Sequence, residues 1–203
     1  MSCSQRLVLF VDNQNSYKGA RRAFFPNPIS HIDGQFNPVQ LGQLIASRPV
    51  GGTTRVLHQV RVYTGQPSAT KDSKGYAANR RQCATWKKWG AEVIARPLRY
   101  PYDWPTSKSQ EKGTDVALAI DFIALAIDGE YDIGVLASAD TDLKPALEFV
   151  YKRYQGISGV EVAAWRSPVQ SVRLFVPGAK IWCDWLHKAD FNQIADLTDY
   201  NIP

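Results

Sequence analysis

"LVLFVDNQN", residues 7–15, runs five apolar residues straight into a polar cluster. Leu7 to Val11 shows no alternation of polar and apolar side chains, so the segment reads as a short strand covered on both faces. Asp12, Asn13, Gln14 and Asn15 end it. Strands of this kind belong to parallel sheets sandwiched between helices, and the next question is whether the chain keeps supplying the alternation such a sheet needs.

It does. An amphipathic stretch from Tyr17 to Phe25 is closed by "PNP" (26–28), and a second helix follows with Asn37 as N-cap and Pro38 as first helical residue. Thr54 to Tyr63 reads as the second strand, and Tyr76 to Trp89 as a helix stopped by Gly90. "EVIARPL" (92–98) is a third strand, "RYPYDWPTSKSQEKG" (99–113) a long proline-rich loop. A helix from Thr114 to Asp128-Gly129, a strand in "YDIGVLASAD" (131–140) and a helix from Leu143 to about Tyr154 come next. "GVEVAAW" (159–165), a short element near Val169 to Val176, "AKIWCDWL" (179–186) and a weak C-terminal helix complete the order. The expected fold is α/β: a single-domain Rossmann-like parallel sheet with helices on both faces, spanning residues 1–203.

Composition agrees with one globular unit. The chain has 203 residues, 44% hydrophobic and 21% charged, enough for one full core and somewhat short for two. No secretory core region precedes Asp12, and the longest apolar run, Val116 to Ile127, is too short to cross a bilayer. Cys3, Cys83 and Cys183 are odd in number and widely spaced, which suits small buried thiols in a reducing cytoplasm. Oligomeric state is open, and a homo-oligomer is compatible with the sequence.

Charge is uneven. The net +5 comes from 24 basic and 19 acidic residues, and the segment 71–88, with six basic residues and one acid, carries a net +5 by itself. Such a patch attracts polyanions, nucleic acid above all, although a solvated helix face has the same composition. Arg80, Arg81, Lys87 and Lys88 suit phosphate contacts. Trp86 and Trp89 read as packing residues, whereas Tyr100, Tyr102 and Trp104, beside Arg96 and Arg99, suit base stacking or a loop folded onto its own aromatics.

The acids gather at strand ends. Open parallel sheets form sites beyond the carboxyl ends of their strands, where chain order reverses. Asp12 ends the first strand with Asn15 behind it; Ser138, Asp140 and Asp142 follow the fourth. Each has a plain alternative, since Asp after a strand is a common turn residue and Asp142 or Thr114 can cap a helix. Asp121 is harder to dismiss. It interrupts an apolar helix expected to be largely buried, and an unpaired carboxylate there costs several kcal/mol. Its partner is either a cation such as Lys112 or an arginine, or a metal ion. Clustered carboxylates with only three scattered histidines (31, 58, 187) suit a hard cation, Mg2+ or Mn2+, and not a soft one. Asp115 and Asp121 stand about 120° apart around a helix axis, so Asp115 is the better ligand candidate.

Three motifs in order, "VLFVDNQN" (8–15), "KGTDVALAIDFIALA" (112–126) and "GVLASADTDLKPAL" (134–147), resemble those of the NYN domain family, relatives of the PIN nucleases, and are similar to its LabA-like branch. "GAEVIARPLRY" (90–100) also looks like the family's third strand. The likeness covers about residues 6–164; the remainder, 165–203, carries no motif. Asn13 and Ala139 stand where the family has glycine. The resemblance implies a PIN-like sheet and a metal-dependent ribonuclease. It implies that Asp12, Asp115, Asp140 and Asp142 bind one or two Mg2+ or Mn2+ ions, with Asp121 a further ligand or a support. Asn15 would position Asp12 or a phosphate oxygen, Lys112 would touch the scissile phosphate or balance the acids, and Ser138 would lie with them. RNA is the implied partner, held in part by Arg80, Arg81 and Arg99. Two other functions compete: a non-catalytic RNA-binding module of the same fold, and an aspartate-nucleophile phosphatase suggested by Asp140-Thr141-Asp142, whose pair here follows a late strand instead of an early one.

Overall fold

The computed structural model describes residues 4–25, 27, 30–154 and 159–202. Its elements are β1 (Gln5–Asp12), α1 (Asn13–Phe24), α2 (Pro38–Ser47), β2 (Arg55–Gln66), α3 (Ser73–Trp89), β3 (Glu92–Pro97), α4 (Thr114–Ile127), β4 (Ile133–Ala137), α5 (Lys144–Arg153), β5 (Gly159–Ser167), β6 (Gln170–Ser171), β7 (Trp182–Leu186) and α6 (Lys188–Ile194). A 3-10 turn, Thr141–Leu143, leads into α5. The strands lie in the order β3-β2-β1-β4-β5, with β7 also paired to β5, and all of these pairs are parallel. Among the described strands only the two-residue β6 runs antiparallel, at the end of β5. The expected α/β sheet is therefore present.

The first strand shows why a continuous apolar run is required. Leu7, Leu9 and Val11 pack into the core layer beneath α1, α2, α3 and α6, while Val8 and Phe10 face the layer formed with α4 and α5. All five are fully buried. Chain order reverses at β1, because β2 and β3 are laid down on one side of it and β4 and β5 on the other. That reversal opens a crevice beyond the carboxyl ends of β1 and β4.

Local signals placed most helix ends. Asn37 caps α2, its side-chain oxygen accepting from the N–H groups of Val39 (2.9 Å) and Gln40 (3.1 Å). Gly90 closes α3 at φ 105°, a conformation that a Cβ would strain. Two starts come earlier than the periodicity predicts. α1 begins at Asn13 because Asp12 is itself the N-cap, accepting from the Asn15 N–H at 3.1 Å. α3 begins at Ser73 because Asp72 caps the Gly75 N–H at 2.9 Å. The closing prolines of "PNP" and Cys3 lie outside the described residues. Cys83 and Cys183 are buried free thiols.

One expectation about α4 is overturned. The helix is not largely buried: Leu118, Phe122 and Ala126 form its inner row, while Val116, Ile120 and Ile127 are more than half exposed. Among the described residues no helix is long and apolar enough to cross a membrane.

Candidate active site

The crevice between β1 and β4 is built from the ends of those strands upward. Asp12 is 8% exposed, and both its oxygens are held: the Asn15 N–H donates to Oδ1 (3.1 Å) and the Ser138 hydroxyl to Oδ2 (3.0 Å). Ser138 Oγ also accepts from the Asp140 N–H at 3.0 Å, and Asn15 Oδ1 accepts from the Ala139 N–H at 3.0 Å. The two strand ends are thus stitched together. Ser16 and Trp165 anchor α1 over them, the Ser16 hydroxyl donating to Ala137 O and the Trp165 indole N–H to Ser16 O, each at 2.8 Å.

The third wall comes from the long loop. Arg99 and Gln110 exchange backbone hydrogen bonds of 2.9 Å in both directions, closing the loop as a hairpin and delivering Ser109, Gln110 and Glu111 to the crevice. Glu111 Oε1 accepts from the Gly65 N–H at the end of β2, at 2.7 Å. Gly113, at φ 78°, then turns the chain into α4 and sets Thr114 and Asp115 on the same side. The result is a cavity of about 560 Å³ lined by Asp12, Glu111, Asp115, Asp140, Thr114 and Lys18, with Asn15 at its edge.

None of these four carboxylates forms an ion pair among the described residues. Burial raises the proton affinity of Asp12 above the usual carboxylate range, the Asn15 and Ser138 hydrogen bonds oppose that, and the charges of Asp140 and Asp115 add to it. Glu111 shifts the same way, through burial first; the Gly65 N–H and Lys18 oppose the rise, and Asp12 and Asp115 reinforce it. These unpaired carboxylates contrast with Asp132, paired with Arg6, with Asp190, paired with Arg48, and with Glu161 and Asp184, both paired with Arg55.

The donor set fits a hard divalent cation: carboxylate, hydroxyl and carboxamide oxygens, with no histidine or cysteine in the lining. A buried atom agrees, because among the described residues Thr114 Oγ1 has no hydrogen-bond partner while its residue lines the cavity. Among the described residues no group of three His, Cys, Asp or Glu side chains is drawn together tightly enough to hold an ion without adjustment.

The remaining predicted residues fall in different places. Asp121 does not join the cluster. Its Oδ2 accepts from Arg61 Nη2 and from the Tyr63 hydroxyl, each at 2.7 Å, so the carboxylate inside the apolar helix is balanced by an arginine on β2 and not by a metal. Asp142 is exposed; its N–H donates to Asp140 Oδ1, and its residue is absent from the cavity wall. Asp140, not Asp142, caps the turn before α5. Arg81 is half-buried, its Nε donating to Tyr200 O at 2.8 Å. Arg80, Arg99 and Lys112 are exposed. Tyr100 and Trp104 pack edge-on at 4.8 Å, so that loop is folded on its own aromatics, and Trp86 is core.

Asn13 and Ala139 leave the backbone unstrained, since among the described residues no non-glycine has positive φ. Asn13 Nδ2 reaches Thr64 Oγ1 at 3.3 Å. Glu111 and Lys18 were not foreseen. Glu111 had a signal, standing immediately before Lys112-Gly113 and four residues from Asp115, where a turn can fold it back onto the helix start. Lys18 had none beyond its position one turn and a half into α1.

A model of the NYN domain matches residues 6–173 of the chain. No curated protein matches. Among solved structures, a protein of unknown function from Vibrio parahaemolyticus is similar in fold, with 22% identity, a TM-score of 0.51, and coverage of 79% of this chain and 81% of that one.

Proposed function

The chain belongs to the NYN domain family, and from that premise we propose that it is a divalent-metal-dependent ribonuclease hydrolysing RNA phosphodiester bonds in the crevice between β1 and β4. One observation carries the reading: Asp12, Glu111, Asp115 and Asp140 line one cavity and none of them forms an ion pair among the described residues, while Asp121, Glu161, Asp184 and Asp190 have guanidinium partners. The order of motifs that resembles the LabA-like branch supports the same reading, and a reducing, cytoplasmic setting suits the free thiols.

Asp12, Asp115 and Asp140, helped by Glu111, would hold Mg2+ or Mn2+. When bound, such an ion lowers the pKa of water and offsets charge on the phosphate. The chain's own work is positional. Ser138 and the Asn15 N–H fix the rotamer of Asp12, and Ser138 holds the Asp140 backbone, so two ligands are set before any ion arrives. Lys18, which lines the cavity, and exposed Lys112, next to Glu111 in sequence, supply positive charge for a phosphate that four acids would otherwise repel. Exposed Arg80 and Arg99 serve as outer phosphate contacts. Asp142, outside the wall, acts through Asp140.

The test uses end-labelled RNA with purified protein, with and without Mn2+, beside an Asp140→Asn control. Metal-dependent cleavage by the wild type alone is the expected result. Metal-dependent binding without cleavage would make the protein a non-catalytic RNA-binding module.

A further inference from the structure

Next to the acids lies a second cavity, of about 380 Å³, that shares Gln14, Lys18 and Glu111 with the first. Its lining is unlike the acid site. Six neutral carboxamides contribute to it: Asn13, Gln14, Gln35, Asn79, Gln82 and Asn201. Several are used on one end only. Gln82 Nε2 donates to Gln35 Oε1 at 3.0 Å, Lys18 Nζ donates to Gln14 Oε1 at 2.9 Å, and Asn201 Nδ2 meets His31 Nε2 at 2.8 Å, while among the described residues Gln82 Oε1, Gln14 Nε2 and Asn201 Oδ1 make no hydrogen bond. Trp86, 2% exposed, forms part of the wall, and its indole N–H has no acceptor among the described residues. A buried N–H donor favours an acceptor as its neighbour.

The wall is completed by residues beyond the NYN match, which ends at 173. Tyr200 and Asn201 close one side of the cavity. They are strapped down by Arg81 Nε on Tyr200 O (2.8 Å), by Gln35 Nε2 on Thr198 O (3.2 Å) and by the Tyr200 hydroxyl on Asp196 (2.7 Å). So the stretch without motifs, and an arginine expected to meet phosphate, together build this pocket.

We propose that the cavity receives one unstacked nucleobase of the RNA whose phosphate lies at the acids, and that its carboxamides select which base adjoins the cut. This inference rests on the ribonuclease reading for its placement of the strand. Unpaired amide donors and acceptors match the edges of a base, which carry both kinds of group. A phosphate would call for guanidinium groups, and the two charged groups here, Lys18 and Glu111, are shared with the neighbouring site. The volume lies in the range of small-ligand sites. A base inserted here has its own phosphate within one nucleotide of the acids, because the two cavities have a common wall.

The experiment titrates the full chain, in chelator and without metal, with each of the four ribonucleoside 5′-monophosphates. The readout is the indole N–H resonance of Trp86, assigned by its loss in Trp86→Phe. The expected result is a shift of that signal with affinities spread at least about tenfold across the four bases, and weakening of the tightest about tenfold in Asn201→Ala and in Gln82→Ala. Asn201 is exposed, so its variant folds. In the presence of Mn2+, mapped cleavage sites should favour the same base, and Asn201→Ala should flatten that preference. A Trp86 signal that no nucleotide moves, or that all four move equally, overturns the proposal. Base-selective binding with no cleavage of any RNA leaves the pocket standing and sinks the nuclease reading; cleavage without base preference does the reverse.

Discussion

The Ser138 hydroxyl donates to the Asp12 carboxylate across 3.0 Å and 126 residues of chain, joining the carboxyl ends of neighbouring strands. That bond holds a buried acid in place while two further carboxylates raise its proton affinity. An arrangement that keeps like charges together at the expense of stability is typical of a site kept for function.

Asp12→Asn should therefore stabilise the metal-free protein. Relieving a buried charge from its neighbours is worth about 1 kcal/mol, seen as a rise of about 2–4 °C in Tm by calorimetry in chelator. Adding Mn2+ should raise the Tm of the wild type and leave that of the variant unchanged. A lower Tm in the variant without metal would show that Asp12 is an ordinary cap.

Asp121→Ala should separate structure from catalysis. Its removal deprives the buried Tyr63 hydroxyl and Arg61 of their shared acceptor, although Arg61 keeps Glu92 at 2.5 Å. The loss should be about 1–3 kcal/mol by urea denaturation, with the cleavage rate unchanged well below the melting temperature. A large fall in rate with intact stability would return Asp121 to the catalytic set.

These two acids mark what sequence can and cannot disclose. Asp12 was legible because strand, turn and helix start are consecutive residues and the crevice rule says which strand end matters. The Asn37 and Gly90 caps were legible for the same reason: a cap is a local event. Asp121 raised the right question, but its answer, Arg61, sits on another element, and only the β1–β2–α4 packing brings the pair together. Arg81 shows what composition leaves out: its Nε is engaged by a backbone carbonyl more than a hundred residues away. The exposed outer row of α4 was misjudged because helical periodicity reports which side chains are apolar, not which neighbours exist to cover them.

Glu111→Gln should weaken metal binding about 10–100-fold, measured by calorimetric titration with Mn2+. The amide retains an oxygen for the Gly65 N–H, so the loop hairpin and the melting temperature should be preserved. Unaltered affinity would remove Glu111 from the ion's surroundings.

Stability should fall as pH rises from about 5 to 7. Burial pushes the Glu161 carboxyl from its usual value to about 7; Arg55 opposes that and Asp184 adds to it. One guanidinium faces two carboxylates. Because the folded state keeps its proton where the unfolded chain has lost it, this contribution is full below the unfolded pKa and is lost as pH climbs through the folded one. The lowered acids Asp132, Asp190 and Asp199 act in the opposite sense, and only at more acidic pH. Denaturant midpoints across this range should slope down for the wild type and flatten for Glu161→Gln; an upward slope would refute the assignment.

The sheet order bears on the protein's own synthesis. β4, which pairs with β1 on the side opposite β2, is made only after β2, β3 and their helices, so an emerging polypeptide carries Asp12 while Asp140 is still unmade. On the proposed activity, a nascent chain that has not reached Asp140 lacks one of its ligands. Hydrolytic competence arrives with topological closure, after the last of the ligands has left the exit tunnel.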